Sequence, residues 1–255
     1  MKTMPNTEWP SRNSRRTWRG FTLLELMIAV SILAVFVFFA YKIFLGGSKT
    51  AGRSQWTNSV VDELRIATSF LGKEIKSTSY PTTLLRDTIC DPSDNANGSV
   101  ARTYFVKIAA NQQPIKAPAA GAKTKVMTWF VCQPEKPPEP GGIRECRLWL
   151  EGRSNTLANV GDLAVEIISQ KFTTSPDQYA RSGQLSLQAD GAPGRQVLVH
   201  DVEWVKFEAP GPLPSMATEF QPLKISIHCV YPKDPKAFKE NSTMATPNVG
   251  LELLP

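Results

Sequence analysis

The sequence predicts an α+β chain: a long N-terminal helical spine, half membrane-spanning and half amphipathic, packed on an antiparallel β-rich head domain. Three observations predict it. An apolar run from Leu26 to Tyr41 holds no charged side chain. Val60, Leu64, Ala67, Leu71 and Ile75 then recur at helical spacing. After Pro81 the chain turns to short alternating segments rich in β-branched and aromatic residues, separated by Pro- and Gly-rich connections.

The apolar run anchors the reading. Phe21 to Leu45 carries two charges, Glu25 and Lys42. As a helix, at about 1.5 Å per residue, it spans the roughly 30 Å hydrocarbon core of a bilayer. Before it lie Lys2, Arg12, Arg15, Arg16 and Arg19 against Glu8, a net +4 of the whole-chain +6. That leaves +2 from Phe21 onward, so the basic balance belongs mostly to the leader and no nucleic-acid partner is expected. Cations before the run hold the leader in the cytoplasm and send the body across. The leader, 1–20, is polar, with Pro5 and Pro10 and no periodicity, and is expected to be disordered until removed. A secretory signal would place a small-residue cleavage site after the run. The run ends in Tyr41-Lys42-Ile43-Phe44 instead, so it is expected to stay in the mature protein.

Gly46 and Gly47 follow the run. Each costs a helix roughly 1 kcal/mol relative to alanine, which predicts a kink or a melted turn. The amphipathic half resumes at Thr57 and ends near Ser77 to Tyr80, before Pro81. The expected organisation is therefore a leader at 1–20, a transmembrane helix at 21–45, an amphipathic half at 46–77 and a head at 78–255.

In the head, expected strands run Thr103–Ala109, Val126–Cys132, Arg144–Leu150, Asp162–Phe172, Leu198–Phe207 and Pro222–Val230. Gln113 to Lys125 reads as a loop, and its Lys116, Lys123 and Lys125 as solvated rather than phosphate-binding. Gln184–Gln188 and Arg195–His200 flank Asp190-Gly191-Ala192-Pro193-Gly194, a hairpin signal. The alternation slips between Val202 and Val205, which predicts a bulge. Ile225, Ile227 and Cys229 are expected to face inward. The tail from Pro232 reads as polar and Pro-rich until Leu251.

Four cysteines, Cys90, Cys132, Cys146 and Cys229, sit in the part expected to be translocated, which suggests disulfides with three connectivities open; four buried thiols is the competing reading. Pairing Val126–Cys132 with Arg144–Leu150 so that Cys132 opposes Cys146 places Phe130 opposite Leu148 and Trp129 opposite Trp149. That register predicts a Cys132–Cys146 bridge and leaves Cys90 to Cys229.

Motifs for chemistry are missing. There is no phosphate-binding Gly-x-x-x-x-Gly-Lys, no His-Glu-x-x-His and no Gly-x-Ser-x-Gly. No cysteines stand at Cys-x-x-Cys spacing for zinc. Asp91 to Gly98 fails the EF-hand pattern at Ser93 and reads as a surface turn. His200 reads as a packing residue and His228 as an exposed one, neither with an acid partner nearby in sequence. Glu203 and Glu208 do not make a recognisable carboxylate pair. No catalytic residue, cofactor or metal is expected, and the chain is read as a non-enzyme.

The informative residue is Glu25. A carboxylate inside a membrane helix costs roughly 2.5–3.5 kcal/mol at its centre. Either it lies solvated at the interface of a plain single-pass anchor, or it has a partner. Cleavage after Gly20 would supply one, the ammonium of a new N-terminal Phe21, within about one helical turn.

Gly20-Phe21-Thr22-Leu23-Leu24-Glu25, with the run behind it, resembles the processing signal of type IV pilins and type II secretion pseudopilins. The resemblance covers Arg19 to about Tyr41. It implies that a prepilin peptidase cuts after Gly20 and methylates the nitrogen of Phe21, and that Glu25 aligns subunits in a helical filament. It implies other pilin-like subunits and an inner-membrane assembly platform as partners. It places the protein in a bacterial inner membrane, single-pass, with the leader cytoplasmic and the head periplasmic or at a filament tip. Many major pilins carry a proline near the end of the run; here none lies between Pro10 and Pro81. The strands Leu198–Phe207 and Pro222–Val230 are loosely similar to those of J-type minor pseudopilins and large minor type IV pilins. The implied function is a minor subunit that initiates or caps a pseudopilus or pilus through transmembrane helix packing. A filament-borne adhesin or receptor for DNA or an exoprotein is the alternative, and an unprocessed single-pass protein a further one.

Overall fold

A computed structural model describes residues 21–78, 106–133, 141–153, 159–172, 187–211 and 221–254. The leader with Gly20, Cys90 and its following turn, and residues 134–140, in the Pro- and Gly-rich connection between the expected strands Val126–Cys132 and Arg144–Leu150, lie outside the described residues. The chain divides into two compact units, Met1–Gly52 and Arg53–Pro255.

One helix, α1, runs Leu23–Lys76. Within the first unit its residues from 23 to 51 are all exposed, and the segment is long and apolar enough to cross a membrane. A helix that is apolar on every side has no single face to bury in a globular core. The helix passes through Gly46 and Gly47 unbroken, without the expected kink. Two glycines at about 1 kcal/mol each do not interrupt a helix already nucleated on both sides. The Thr50 hydroxyl adds a bond to the Gly46 carbonyl at 3.1 Å.

In the second unit, Val60, Leu64, Ala67, Leu71 and Ile75 are buried, as their spacing predicted. They pack on a mostly antiparallel sheet that has ten strands among the described residues. The strands are β1 (Val106–Ile108), β2 (Pro114–Lys116), β3 (Lys123–Gln133), β4 (Gly142–Arg153), β5 (Val160–Phe172), β6 (Leu187–Ala189), β7 (Gly194–Glu208), β8 (Leu223–Val230), β9 (Phe238–Ala245) and β10 (Leu251–Leu253). Their order is β10-β1-β3-β4-β5-β7-β8-β9, with β2 on β7 and β6 on β5; β1 and β10 pair in parallel. The sheet curls around the helix. Glu74 bonds Arg144 of β4, while a Cβ on nearby Gly72 would lie 2.9 Å from the Thr243 hydroxyl of β9. Those strands stand four steps apart, roughly 19 Å in a flat sheet, too far for one turn of a helix to reach both.

The helix ends with its carbonyls satisfied. Ser77 and Thr78 hydroxyls donate to the carbonyls of Glu74 and Ile75 at 2.8 and 2.6 Å. Asn248 then donates from its backbone to Thr78 Oγ1 and from its side chain to the Lys76 carbonyl, both at 3.2 Å.

β3 and β4 form the expected antiparallel hairpin, but in another register. Trp129 opposes Cys146, and Cys132 opposes Ile143. The offset is odd, so faces exchange: Trp129, Met127, Cys146 and Leu148 enter the core while Phe130 and Cys132 point to the other face. Cys132 and Cys146 thus lie on opposite faces, which removes the geometry for the expected bridge. The cause is packing. The core face sets bulky Trp129 against small Cys146 and lets the indole nitrogen reach Glu74 at 3.5 Å. The register slips by one more residue between Lys125 and Met127, so that Lys125 opposes Trp149.

Three further expectations change. Asp190 to Gly194 does not reverse the chain: β6 and β7 lie end to end on the same edge of β5. Gly191, at φ +88°, makes a bend between them. The Gln113–Lys125 loop contains β2, and the polar tail supplies both edge strands, β9 and β10. The expected bulge is present, between Val202 and Trp204. Ile225, Ile227 and Cys229 are buried as expected.

Candidate functional site

Thr22 and Glu25 build the start of α1. Glu25 Oε2 accepts the Thr22 backbone N–H at 3.1 Å and the Thr22 hydroxyl at 3.2 Å. The Glu25 N–H donates to Thr22 Oγ1 at 3.2 Å. This is a capping box: the helix's first residue is Leu23, Thr22 caps it, and Glu25 sits at the third helical position. Thr-Leu-Leu-Glu is its sequence signature, and Thr22 is the residue that the sequence reading passed over. Phe21 is fully described and exposed, one residue ahead of the cap. The site is thus a helix start whose donors are met by a carboxylate.

The head holds several charged clusters. Arg144 Nη2 spans both Glu74 oxygens at 2.8 and 2.7 Å, and Cys146 Sγ lies 3.9 Å from Oε2. Burial pushes the Cys146 thiol up to about 12. Burial likewise raises the Cys229 thiol, with Asp201 and Glu63 adding to it. Asp201, at φ +58°, accepts the Trp56 indole N–H at 2.9 Å and pairs with Arg153.

Both histidines have acid partners, contrary to expectation, because the sheet brings distant strands together. His200 Nδ1 lies 3.0 Å from Asp162 Oδ1, and its backbone N–H donates to Glu63 at 2.9 Å. Arg153 holds the same Asp162 oxygen at 3.3 Å. His228 is not exposed: it stacks between Trp204 and Phe238 and faces Glu203 and Glu240. Glu208 is bracketed by Lys206 and Lys224, each at 2.8 Å, whose hydrogen bonds hold its carboxyl down at about 2. It is therefore an ion-pair residue and not one of a carboxylate pair with Glu203. Among the described residues no three His, Cys, Asp or Glu side chains converge as metal ligands.

Among known protein families, the model of the prokaryotic N-terminal methylation motif matches residues 19–41. The match takes in Arg19, Gly20, Phe21, Glu25 and the apolar run through Tyr41. No curated protein and no solved structure matches the chain.

Proposed function

The chain is a type IV pilin-like protein by its N-terminal motif and apolar helix, and from that premise we propose that it is a minor subunit of a type II secretion pseudopilus or a type IV pilus, initiating or capping the filament. A prepilin peptidase cuts after Gly20 and methylates the nitrogen of Phe21. The apolar half of α1 anchors the mature chain in the inner membrane, with the cationic leader on the cytoplasmic side and the head beyond it. The head from Thr78 onward is large for a repeating subunit in a tight helical lattice, which favours a terminal position.

The observation that carries this reading is the methylation motif ending in a capped helix start. In a lone chain Glu25 is stabilised by its own Thr22. In an assembled filament Glu25 trades that bond for the Phe21 ammonium of a neighbouring subunit, a stronger, charge-assisted pair. The proton added at the new terminus and the carboxylate already at the helix start are complementary, and an apolar surrounding strengthens their attraction.

Coexpression with a prepilin peptidase tests it. N-terminal mass analysis should show N-methyl-Phe21, and cross-linking should then capture the chain with other pilin-like subunits. An intact Met1 in the presence of an active peptidase overturns the reading.

A further inference from the structure

His228 ties three strands together. Its imidazole lies 4.8 Å from the Trp204 ring of β7 at an interplanar angle of 8°, and 5.0 Å from the Phe238 ring of edge strand β9 at 24°. Its two nitrogens both point at carboxylates. Nε2 faces Glu203 Oε2 at 3.4 Å, in the β7 bulge, and Nδ1 faces Glu240 Oε2 of β9 at 3.5 Å. The side chain is only 13% exposed. Nδ1 is buried and has no hydrogen bond among the described residues.

A neutral imidazole has one N–H, so one of its nitrogens must turn a lone pair toward a carboxylate. The imidazolium offers a donor to each. A cation between two aromatic faces is also favoured by their quadrupoles. On the same face of the sheet stand Lys206 and Glu208 of β7, joined with Lys224 in ion pairs. Lys224, on β8 itself, interacts with Glu240, and Lys116 of β2 stands opposite Trp204. The hydrogen bond that Lys224 donates to Glu208 holds its ammonium in the charged form.

We propose that His228 is a pH-operated latch on the β8–β9 hairpin, fastened when the imidazole is protonated and loosened when it is not. The hairpin's turn carries the consequence. Tyr231 N–H bonds the Ala237 carbonyl at 2.8 Å to close it. The same turn meets the helix, with the Tyr231 ring tilted at 44° against Trp56, centroids 5.2 Å apart, and Asp234 3.9 Å from Arg53. Farther along β9, Asn241 bonds Thr68 at 3.1 Å and Thr243 packs on Gly72, contacts that do not titrate. The latch therefore acts on the first half of β9 and on the seat of the turn against Arg53 and Trp56, while the second half stays pinned.

Amide hydrogen exchange on the full chain in detergent tests this, with rates at each pH divided by those of an unstructured peptide. Protection from Tyr231 to Asn241 should fall about tenfold between pH 5 and pH 8, the effect of two modest charge contacts. Protection in β3 and β4 should hold constant. His228→Gln should abolish the pH dependence. Glu203→Gln with Glu240→Gln, which keeps the imidazole, should abolish it too and decides the matter if His228→Gln fails to fold. Constant protection in the wild-type hairpin, or a pH dependence that survives both sets of substitutions, overturns the latch.

Discussion

Glu25 closes a ring with Thr22: its carboxylate takes the Thr22 backbone N–H at 3.1 Å while its own N–H goes to the Thr22 hydroxyl at 3.2 Å. The two residues satisfy helix-start donors that lipid could not satisfy. This fixes the Glu25 carboxylate on the first turn of α1, hydrogen-bonded to the residue that follows Phe21.

The first prediction separates the two roles of that ring. Thr22→Ala removes the cap, at about 1 kcal/mol, and should fray the first turn while leaving cleavage intact. Thr22→Ser should keep both. Glu25→Ala should also be cleaved, yet leave a neighbour's ammonium unpaired in the filament, a loss of about 3–5 kcal/mol. The sheared filament fraction should therefore contain the Thr22 variants and lack Glu25→Ala. Wild-type amounts of Glu25→Ala in that fraction would refute the pairing.

The second prediction concerns Gly46 and Gly47. A Cβ at either position would meet nothing within 4 Å. Alanine there carries no steric penalty and should stabilise the helix by roughly 1 kcal/mol per site. Amide exchange between Leu45 and Thr50 should slow by about fivefold for each substitution. Unchanged exchange would mean that this stretch is held by something other than its own helical bonds.

How far the sequence carried differs by region, for physical reasons. The spine was legible because a charge-free run and a five-residue stripe each have one interpretation. Register in the head was not. Strand β3 offers apolar residues on both faces, Met127 and Trp129 on one and Phe130 and Cys132 on the other, so period two alone could not choose between them. Edge strand β9 escaped because Lys239, Glu240, Asn241 and Ser242 look like a loop; a polar edge is how sheets avoid pairing with other chains. The histidine partners escaped because they lie on other strands: Asp162 is far from His200 in sequence, and Glu203 from His228. Thr22 was within reach, as the third residue before a glutamate at a helix start.

The third prediction is chemical. With its thiol pushed up to about 12 by burial, Cys146 holds only about one thiolate in ten thousand at pH 8. Cys229 is raised in the same direction by burial. Because thiolate is the nucleophile, iodoacetamide should leave both unmodified in the folded chain at pH 8 and label both in denaturant. Rapid labelling of Cys146 without denaturant would contradict its placement beneath α1.

The last prediction is the Glu74–Arg144 tie between α1 and β4. The side chains are 12% and 26% exposed, and the pair is reinforced by the Trp129 indole N–H at 3.5 Å. A pair this poorly solvated contributes little net stability, because its attraction is offset by the cost of leaving water. Removing one partner is different, since the remaining charge stays under the helix unpaired. Glu74→Gln or Arg144→Met should each cost about 2–3 kcal/mol in urea unfolding, below the fully buried range because Arg144 retains some water. The double variant should cost less than the sum of the two, by about 1 kcal/mol or more, since it strands neither charge. Strict additivity would show that the two side chains act independently, with the helix held to β4 by the apolar stripe alone.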